Sequence, residues 1–518
     1  MVILFSSGTL LTNQKEVSVS GMSRHEFFAT RGGVAMTFDD VSLQTKRSHV
    51  PFADIDVTGR FSRGVELATP FVSAAMDTVT TSPMAIAMGK LGGLGIIHAG
   101  LDVEAQYREV RAVKYALNGC IEKPITVTRG MTLGSVLARN DKKGWDFHTM
   151  PVIDSNGRFE GLITGNDFDM FGISKRVSSV MTAVEDTVTA PAGTTVKEAH
   201  RIMCGTKKRK LPLLNQDGTL AGLYVWSDVV RIVNGNPEKY TLDMDGSLLT
   251  AAAVPTDETA MERLKRMGFL LDIVVLDSAQ GDSPHSFETL QLIRNIKEER
   301  PDLEVVVGNI TDDLSAADLY GAGADGVKAG QGPGSICTTR RETGIGTPQV
   351  TAVYEVSVAL EDTDVPVCAD GGIVNYGDPI KAFAAGAGSV MLGRALAGCD
   401  EAPNRLIEHE GQYYKEYRGM GSPGALNDSA SARKRYGGSE KRKPRPEGIE
   451  SLVPYTGSLE DTIGAFRDFL QKGMSYTGSQ NLAHLRDLVR WWQVTGSGAR
   501  EARPHDVLPL PKHRLSPL

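Results

Sequence analysis

Apolar residues in this chain gather in short runs of three to five, each followed by a polar or glycine-bearing turn and then by a stretch with helical spacing. Pro70-Phe-Val-Ser73 and Gly95-Ile-Ile-His98 come first; Leu249-Thr-Ala-Ala-Ala253, Ile273-Val-Val-Leu276, Glu304-Val-Val-Val307, Gly326-Val-Lys328, Pro366-Val-Cys-Ala369 and Ser389-Val-Met-Leu392 follow. Between runs, segments such as Ser283 to Glu299 place Leu290, Leu292, Ile293 and Ile296 at helical intervals. Strand alternating with helix predicts parallel strands joined by crossover helices, and eight such units predict a (β/α)8 TIM barrel with its site at the carboxyl ends of the strands. The polar and glycine motifs fall at those ends: Ser73-Ala-Ala-Met-Asp77, His98, Asp277-Ser-Ala-Gln-Gly281, Gly308-Asn309, the loop around Cys337, Asp370-Gly-Gly372 and Gly393-Arg394. A purely stabilising role would not bring them all to one rim.

Residues 121–240 interrupt this pattern with a repeat. Met150-Pro-Val-Ile-Asp-Ser-Asn-Gly157, then Gly161-Leu-Ile-Thr-Gly-Asn-Asp167, is echoed by Leu211-Pro-Leu-Leu-Asn-Gln-Asp-Gly218, then Gly222-Leu-Tyr-Val-Trp-Ser-Asp228, 61 residues later. The pair resembles tandem CBS modules, split at about 182/183, which are regulatory units for adenine or guanine nucleotides. The resemblance puts Thr164 and Asp167 on a ribose in the first copy. In the second, Asp228 remains, but Val225 stands where the hydroxyl belongs. Lys207-Lys-Arg-Lys210 reads as a solvated charge run. The remaining units are an N-terminal arm (1–36) of little periodicity, barrel parts at 37–120 and 241–507, and a tail (508–518). From 420 to 450 a charged, glycine- and proline-bearing stretch predicts a mobile lid beside the rim. Past Gln480 a helical segment carries Trp491-Trp492.

With 518 residues, 41% hydrophobic and 23% charged, the chain can bury a large core. Its formal net charge of −7 gives no general excess of cations for a nucleic-acid backbone, and Lys441 to Arg445 lies inside the lid. No apolar run approaches the ~20 residues of a membrane span. The five cysteines are scattered without metal-ligand spacing, which points to a reducing, cytoplasmic setting. Ser516-Pro517-Leu518 is a degenerate form of the peroxisomal (glycosomal) address.

The chemistry concentrates in Gly332-Pro-Gly-Ser-Ile-Cys-Thr-Thr-Arg-Arg-Glu-Thr-Gly-Ile-Gly-Thr-Pro-Gln349. Its glycines let backbone N–H groups approach an anion, and Cys337 supplies a thiol beside them. This loop closely resembles the catalytic loop of the IMP dehydrogenase/GMP reductase family, and the resemblance extends from about Thr37 to Val507. Carried over by position, it implies Cys337 as nucleophile toward carbon 2 of a purine nucleotide, with Arg435-Tyr436 on the lid serving hydrolysis and Thr339 and Glu447 forming a second proton relay. An arginine base must then be perturbed downward by the closed site. The resemblance implies substrate contacts at Ser73, Met76, Ser335, Asp370, Gly371, Gly372, Gly393, Arg394, Tyr417, Gly419, Met420 and Gly421. It implies cofactor contacts at Asp277, Ser278, Asn309, Gly330 and Gly332. A K⁺ site is implied on main-chain oxygens of Gly332, Gly334 and Cys337, completed by Glu501, Ala502 and Arg503 of a neighbouring subunit in a homotetramer or an octamer of two.

Two enzymes of the family remain open, and a third reading lies outside catalysis. NAD-dependent oxidation of IMP to XMP requires hydrolysis, which the interval from Met420 to Glu447 with Arg435-Tyr436 favours. NADPH-dependent reductive deamination of GMP shares Cys337, Thr339 and Glu447. A non-catalytic, nucleotide-sensing CBS protein would have no need of Cys337, Asp370, Arg435 and Glu447. Neither nucleic acid nor membrane is an expected partner; purine nucleotides are expected at the CBS pair.

Overall fold

The computed structural model describes residues 21–30, 32–117, 119–121, 123–143, 149–233, 239–437 and 444–507. Eight parallel strands close into a barrel: β1 (Phe71–Ser73), β2 (Leu94–Ile97), β3 (Ala251–Val254), β4 (Ile273–Asp277), β5 (Glu304–Ile310), β6 (Gly326–Ala329), β7 (Val367–Asp370) and β8 (Ser389–Leu392). All eight apolar runs of the sequence are barrel strands, and β8 pairs back on β1 through Leu392 and Ser73. The main crossover helices are α1 (Ser82–Lys90), α2 (Val103–Lys114), α3 (Ala260–Met267), α4 (Pro284–Glu299), α5 (Asp313–Gly321), α6 (Gln349–Ala359), α7 (Asp378–Ala385) and α8 (Leu459–Thr477). Burial on both faces explains why the strands read as unbroken apolar runs rather than alternating ones.

Inside the barrel Val72, Ile96, Ala251, Ala253, Ile273, Val275, Val306, Cys368 and Met391 form one buried cluster. Its foot is closed by a hairpin, Gly59–Ser62 with Val65–Leu67, whose Phe61, Val65 and Leu67 belong to the same cluster. The hairpin is fastened at the strands' amino ends, with the Arg60 N–H donating to Gly388 O at 3.0 Å and that of Arg63 to Asp325 O at 2.9 Å. The opposite end is thereby left for the site.

Four expectations need correction. The N-terminal arm holds a helix at Arg24–Ala29, closed by a Ser23/Glu26 capping box and pressed through Phe27 onto Trp491. Trp491 lies in a strand, Trp491–Gln493, paired with Val41–Leu43, and the helix past Gln480 ends at Leu488. The lid is partly helical, at Pro423–Asp428 and Ala430–Arg435, because Ser422 and Ser429 each cap a helix N-terminus. Finally, the inserted unit begins at Lys114 and includes Leu242–Leu248 rather than spanning 121–240, since Lys114 Nζ meets Asp243 Oδ2 at 2.6 Å. Lys441 to Lys443 and the tail with Ser516-Pro517-Leu518 lie outside the described residues.

Within the inserted unit each half contains a helix, two antiparallel strands and a second helix. The first half has Leu133–Lys143, Met150–Ile153, Phe159–Ile163 and Gly165–Met170; the second has Val196–Thr206, Lys210–Leu214, Leu220–Val225 and Trp226–Val233. Each sheet is completed by a strand from the chain preceding the other half. Cys120–Ile121 pairs with Leu220–Val225, and Thr182–Ala183 pairs with Phe159–Ile163. The expected 182/183 boundary therefore falls inside a strand of the first sheet.

Two outcomes test this architecture. A Cβ placed on Gly95 would sit 2.3 Å from Ala85 Cα, so strand β2 touches helix α1 backbone to backbone. Gly95→Ala is expected to cost about 1–3 kcal/mol in urea unfolding. Replacing residues 119–238 with a short glycine–serine link is expected to leave a cooperatively melting barrel by circular dichroism.

Candidate active site

The rim encloses a cavity of about 640 Å³, within the range of small-molecule sites. Cys337, Thr339, Ser335, Gly330, Gly332, Gly334, Asp277, Ser278, Asn309, Met76, Asp370, Gly371, Gly372, Gly393, Arg394, Tyr417, Gly419, Met420, Gly421, Arg435, Tyr436 and Glu447 all line it. Nine separate stretches of sequence thus converge on it. Ser73 does not: it is fully buried below the rim, where it accepts the Thr80 hydroxyl at 2.8 Å, and Ala74 to Met76 line the wall instead.

Cys337 sits at the start of a proton chain. Its Sγ donates to Thr339 Oγ1 at 3.2 Å, and Thr339 Oγ1 donates to Glu447 Oε2 at 2.9 Å. The chain is held by main-chain bonds between the loop and the strand returning from the lid: Thr338 N–H donates to Glu447 O at 2.9 Å and Ile449 N–H to Ile336 O at 3.0 Å. Sequence spacing could place Thr339 near Cys337, but only this pairing brings Glu447 across 108 residues.

The opposite wall is a cradle. Gly371 and Gly372 have φ of +93° and +80°, which a side chain would strain, and a Cβ on Gly371 would lie 2.8 Å from Pro333 Cγ. On Gly393 it would lie 2.9 Å from the Tyr417 hydroxyl. These three glycines, exposed Ser335 and the start of the helix Arg394–Ala397 offer backbone N–H groups to an anion. Tyr417 is buried, and burial, then the charge of Asp370, pushes its hydroxyl pKa up, so it stays a protonated donor.

Beneath the cavity lies a group the sequence reading passed over. Lys328, 3% exposed, reaches Asp370 Oδ2 at 2.8 Å and Asp277 Oδ1 at 3.2 Å and donates to Asn309 Oδ1. Asn309 Nδ2 completes the net by donating to Asp370 at 2.9 Å. Its signal was a lysine inside an apolar strand. Burial alone would lower the Lys328 pKa, yet Asp370 and Asp277 outweigh it and hold the ammonium charged. Burial alone would raise that of Asp277, yet Arg435 and Lys328 hold it below the ordinary carboxylate value.

Arg435 reverses an expectation. Its guanidinium is ion-paired with Asp277, and although burial opposes its charge, Asp277 and then Tyr436 drive its pKa above the ordinary value rather than below. Tyr436 lies against Gly421, where a Cβ would approach the ring at 2.9 Å. Asp277, expected to hold a cofactor ribose, is thus engaged by the lid.

Sequence reasoning assigned no contact to Arg340 or Arg418, whereas His98 was expected at a strand's carboxyl end and lies just past β2. Arg340 Nε donates to Gln331 O at 2.9 Å and its guanidinium to Thr347 O, drawing the two ends of the Cys337 loop together. Arg418 grips Asp77 at 2.6 Å and Asp428 at 2.8 Å. His98 is buried, its pKa lowered chiefly by that burial, and its Nδ1 accepts Gly100 N–H at 3.1 Å.

For a dinucleotide, an adjoining cavity of about 590 Å³ shares Asp277, Ser278, Ala279, Gln280, Met420 and Arg435 with the first, so the residues fit a two-ended ligand. For a monovalent cation, the carbonyls of Gly332 and Gly334 are of suitable chemistry, the latter already accepting Cys337 N–H at 3.0 Å. Glu501 closes the helix Gly496–Glu501, and Arg503 reaches Asp39 at 3.8 Å. No group of three or more His, Cys, Asp or Glu side chains among the described residues could hold a metal ion. In the inserted unit, Thr164 donates to Asp167 at 2.9 Å as a helix-capping box; Asp228 lies in the first turn of Trp226–Val233.

A closed parallel barrel with a thiol-to-carboxylate relay facing a glycine anion cradle defines a (β/α)8 enzyme for phosphorylated substrates. A family model described as the IMP dehydrogenase / GMP reductase domain matches residues 35–505, and the chain belongs to that family. It is 40% identical over 482 residues to inosine-5'-monophosphate dehydrogenase of Aquifex aeolicus, covering 91% of this chain and 95% of that protein. With the enzyme of the same name from Bacillus subtilis it shares 38% over 477 residues, 91% and 96% of the two chains. Among solved structures it resembles a cysteine-to-alanine variant of GMP reductase from Trypanosoma brucei in complex with guanosine 5'-monophosphate. That likeness has a TM-score of 0.82 and 33% identity over 93% of this chain and 100% of that one. No helix among the described residues is long and apolar enough to cross a membrane.

The opposing charges of Lys328 and Asp277 lend stability from about pH 4 to about pH 10, because the Asp277 value is depressed and the Lys328 value raised. Lys328→Met leaves a carboxylate uncompensated and is expected to cost about 3–5 kcal/mol at neutral pH in urea unfolding. The penalty is expected to shrink as acid protonates Asp277.

Proposed function

We propose that this chain oxidises IMP to XMP with NAD in guanine nucleotide synthesis, through a covalent adduct on Cys337. The observation carrying the reading is the chain Cys337–Thr339–Glu447 facing the glycine cradle across one cavity. As Thr339 takes the Sγ proton it gives its own to Glu447, so the sulfur gains electron density to add to carbon 2 of the purine. NAD, when bound, accepts the hydride that carbon 2 then releases. Water attacks the remaining thioimidate, the carbon–sulfur bond breaks, and XMP leaves with the thiol restored.

In this reading the phosphate rests on Ser335 and the amides of Gly371, Gly372, Gly393 and Arg394, with Tyr417 donating. Asp370 accepts from the ribose hydroxyls, and Met76, Gly419, Met420 and Gly421 face the base. Asp277, Ser278, Asn309, Gly330 and Gly332 serve the cofactor. Asp277 cannot hold ribose hydroxyls and Arg435 at once, so the lid and the cofactor alternate there. With its charge held by Asp277, Arg435 is better suited to orienting water beside Tyr436 than to taking its proton. Glu447, once it has passed its first proton to solvent, is then the proton acceptor of hydrolysis and returns that proton through Thr339 to the departing thiolate.

The reading extends to a cytoplasmic homotetramer in which a neighbour's Glu501, Ala502 and Arg503 complete a K⁺ site with Gly332, Gly334 and Cys337. It also treats the inserted unit as a CBS pair that binds purine nucleotide at Thr164, Asp167 and Asp228. The likeness to GMP reductase supports the second reading, NADPH-dependent deamination of GMP.

Following nicotinamide absorbance with IMP plus NAD, and separately with GMP plus NADPH, decides between them. NADH formation with IMP is expected; NADPH consumption with GMP and none from IMP would reverse the assignment. Cys337→Ala is expected to abolish turnover while retaining nucleotide binding by calorimetry. Arg435→Ala is expected to keep the first-turnover burst of NADH and to slow the steady state by ~10²–10⁴-fold. Denaturing mass spectrometry would then find nucleotide on the protein. Equal loss of burst and steady state would make Arg435 a binding residue.

A further inference from the structure

A third cavity, of about 410 Å³, opens at the barrel's other end, between the foot hairpin, the segment from Leu360 to Val367 and the helix Leu482–Leu488. Three arginines line it: Arg24, Arg60 and Arg486. Their charges are not equally answered. Arg24, buried, is ion-paired with Glu361. Arg60 donates to the main-chain oxygen of Asp364, while the Asp364 carboxylate is taken by Arg63 at 2.8 Å. Arg486 is in no ion pair among the described residues, and its Nε is sealed from solvent without a hydrogen-bond acceptor. Burial first, and then the like charge of Arg24, outweigh the pull of Asp487 and Glu361 and hold its guanidinium below the ordinary pKa, with Arg60 adding the least.

A buried donor left unsatisfied costs about 1–3 kcal/mol, more when charged. Guanidinium groups meet oxyanions through paired N–H donors. The other acids lining the cavity, Asp56 and Glu66, are on exposed residues. Leu360, Val365, Pro366, Val367 and Leu482 supply apolar wall, so there is room for more than a bare ion.

We propose that this foot cavity is a second anion site, in which Arg486 and Arg60 bind a phosphate group, either free or as the end of a small phosphorylated metabolite. None of its lining residues lines the catalytic cavity. Occupancy would join the helix Leu482–Leu488 to the barrel foot through Arg60.

Isothermal titration of the full chain, with IMP present, against inorganic phosphate and separately against ribose 5-phosphate tests this. Wild type is expected to bind at least one of them saturably with a rise in melting temperature, and the stronger of the two identifies the source. Arg486→Met and Arg60→Met should each weaken binding at least about tenfold, the loss expected from a charged hydrogen bond. Without ligand, Arg486→Met should melt at or above the wild-type temperature, because an apolar isostere removes an uncompensated charge; a purely structural arginine would give the reverse. No binding to wild type, or undiminished binding to both variants, overturns the proposal. If Arg486→Met fails to fold, the loss or retention of binding in Arg60→Met, at an exposed position, decides the matter alone.

Discussion

The burial of Lys328 between two carboxylates is the constraint on which the rim depends. An ammonium at 3% exposure is tolerable only with opposite charge in reach, so Asp277 on β4 and Asp370 on β7 must both turn inward from strands flanking β6 at different removes. Asn309 on β5 fills the gap between them. One buried cation therefore sets the orientation of groups on four strands. It also leaves Asp277 with one oxygen free for Arg435 of the lid.

The barrel explains why such an arrangement is tolerated. Its interior below the charges is packed with Ile, Val, Ala and Met, and its foot is stoppered by Phe61, Val65 and Leu67. With stability held there, the upper loops are released to carry strained glycines such as Gly371 and a half-buried thiol. The catalytic loop and the lid's return strand hold each other by main-chain bonds, so the distance from Cys337 to Glu447 is a property of backbone pairing rather than of side-chain reach.

Most of the fold was legible because its signal is local. Eight apolar runs, each closed by a polar turn, needed no knowledge of partners. The cradle and Cys337 were equally legible, since glycine spacing is written in the chain. What could not be read depended on distant partners. Lys328 looked like the end of a strand; nothing nearby announces Asp277 or Asp370. Arg435 was expected to lose basicity in a closed site, but its pairing with Asp277 does the opposite, and that pairing spans 158 residues. Trp491 was misread for the same reason: its strand exists because Val41–Leu43 lies beside it. The Ser23/Glu26 box, by contrast, was local and could have been found.

The exchange of edge strands in the inserted unit bears on how that unit closes on itself. Because Cys120–Ile121, the first strand of the unit, pairs with Leu223 and Tyr224 just before the helix Trp226–Val233, the unit's first and last strands lie one strand spacing apart, about 4.8 Å. The pairing closes about a hundred residues into a loop within the guest, so the closure entropy of that loop is met inside the guest. A module built this way holds its first strand and its last in one sheet, a self-closure that is a property of its strand order alone.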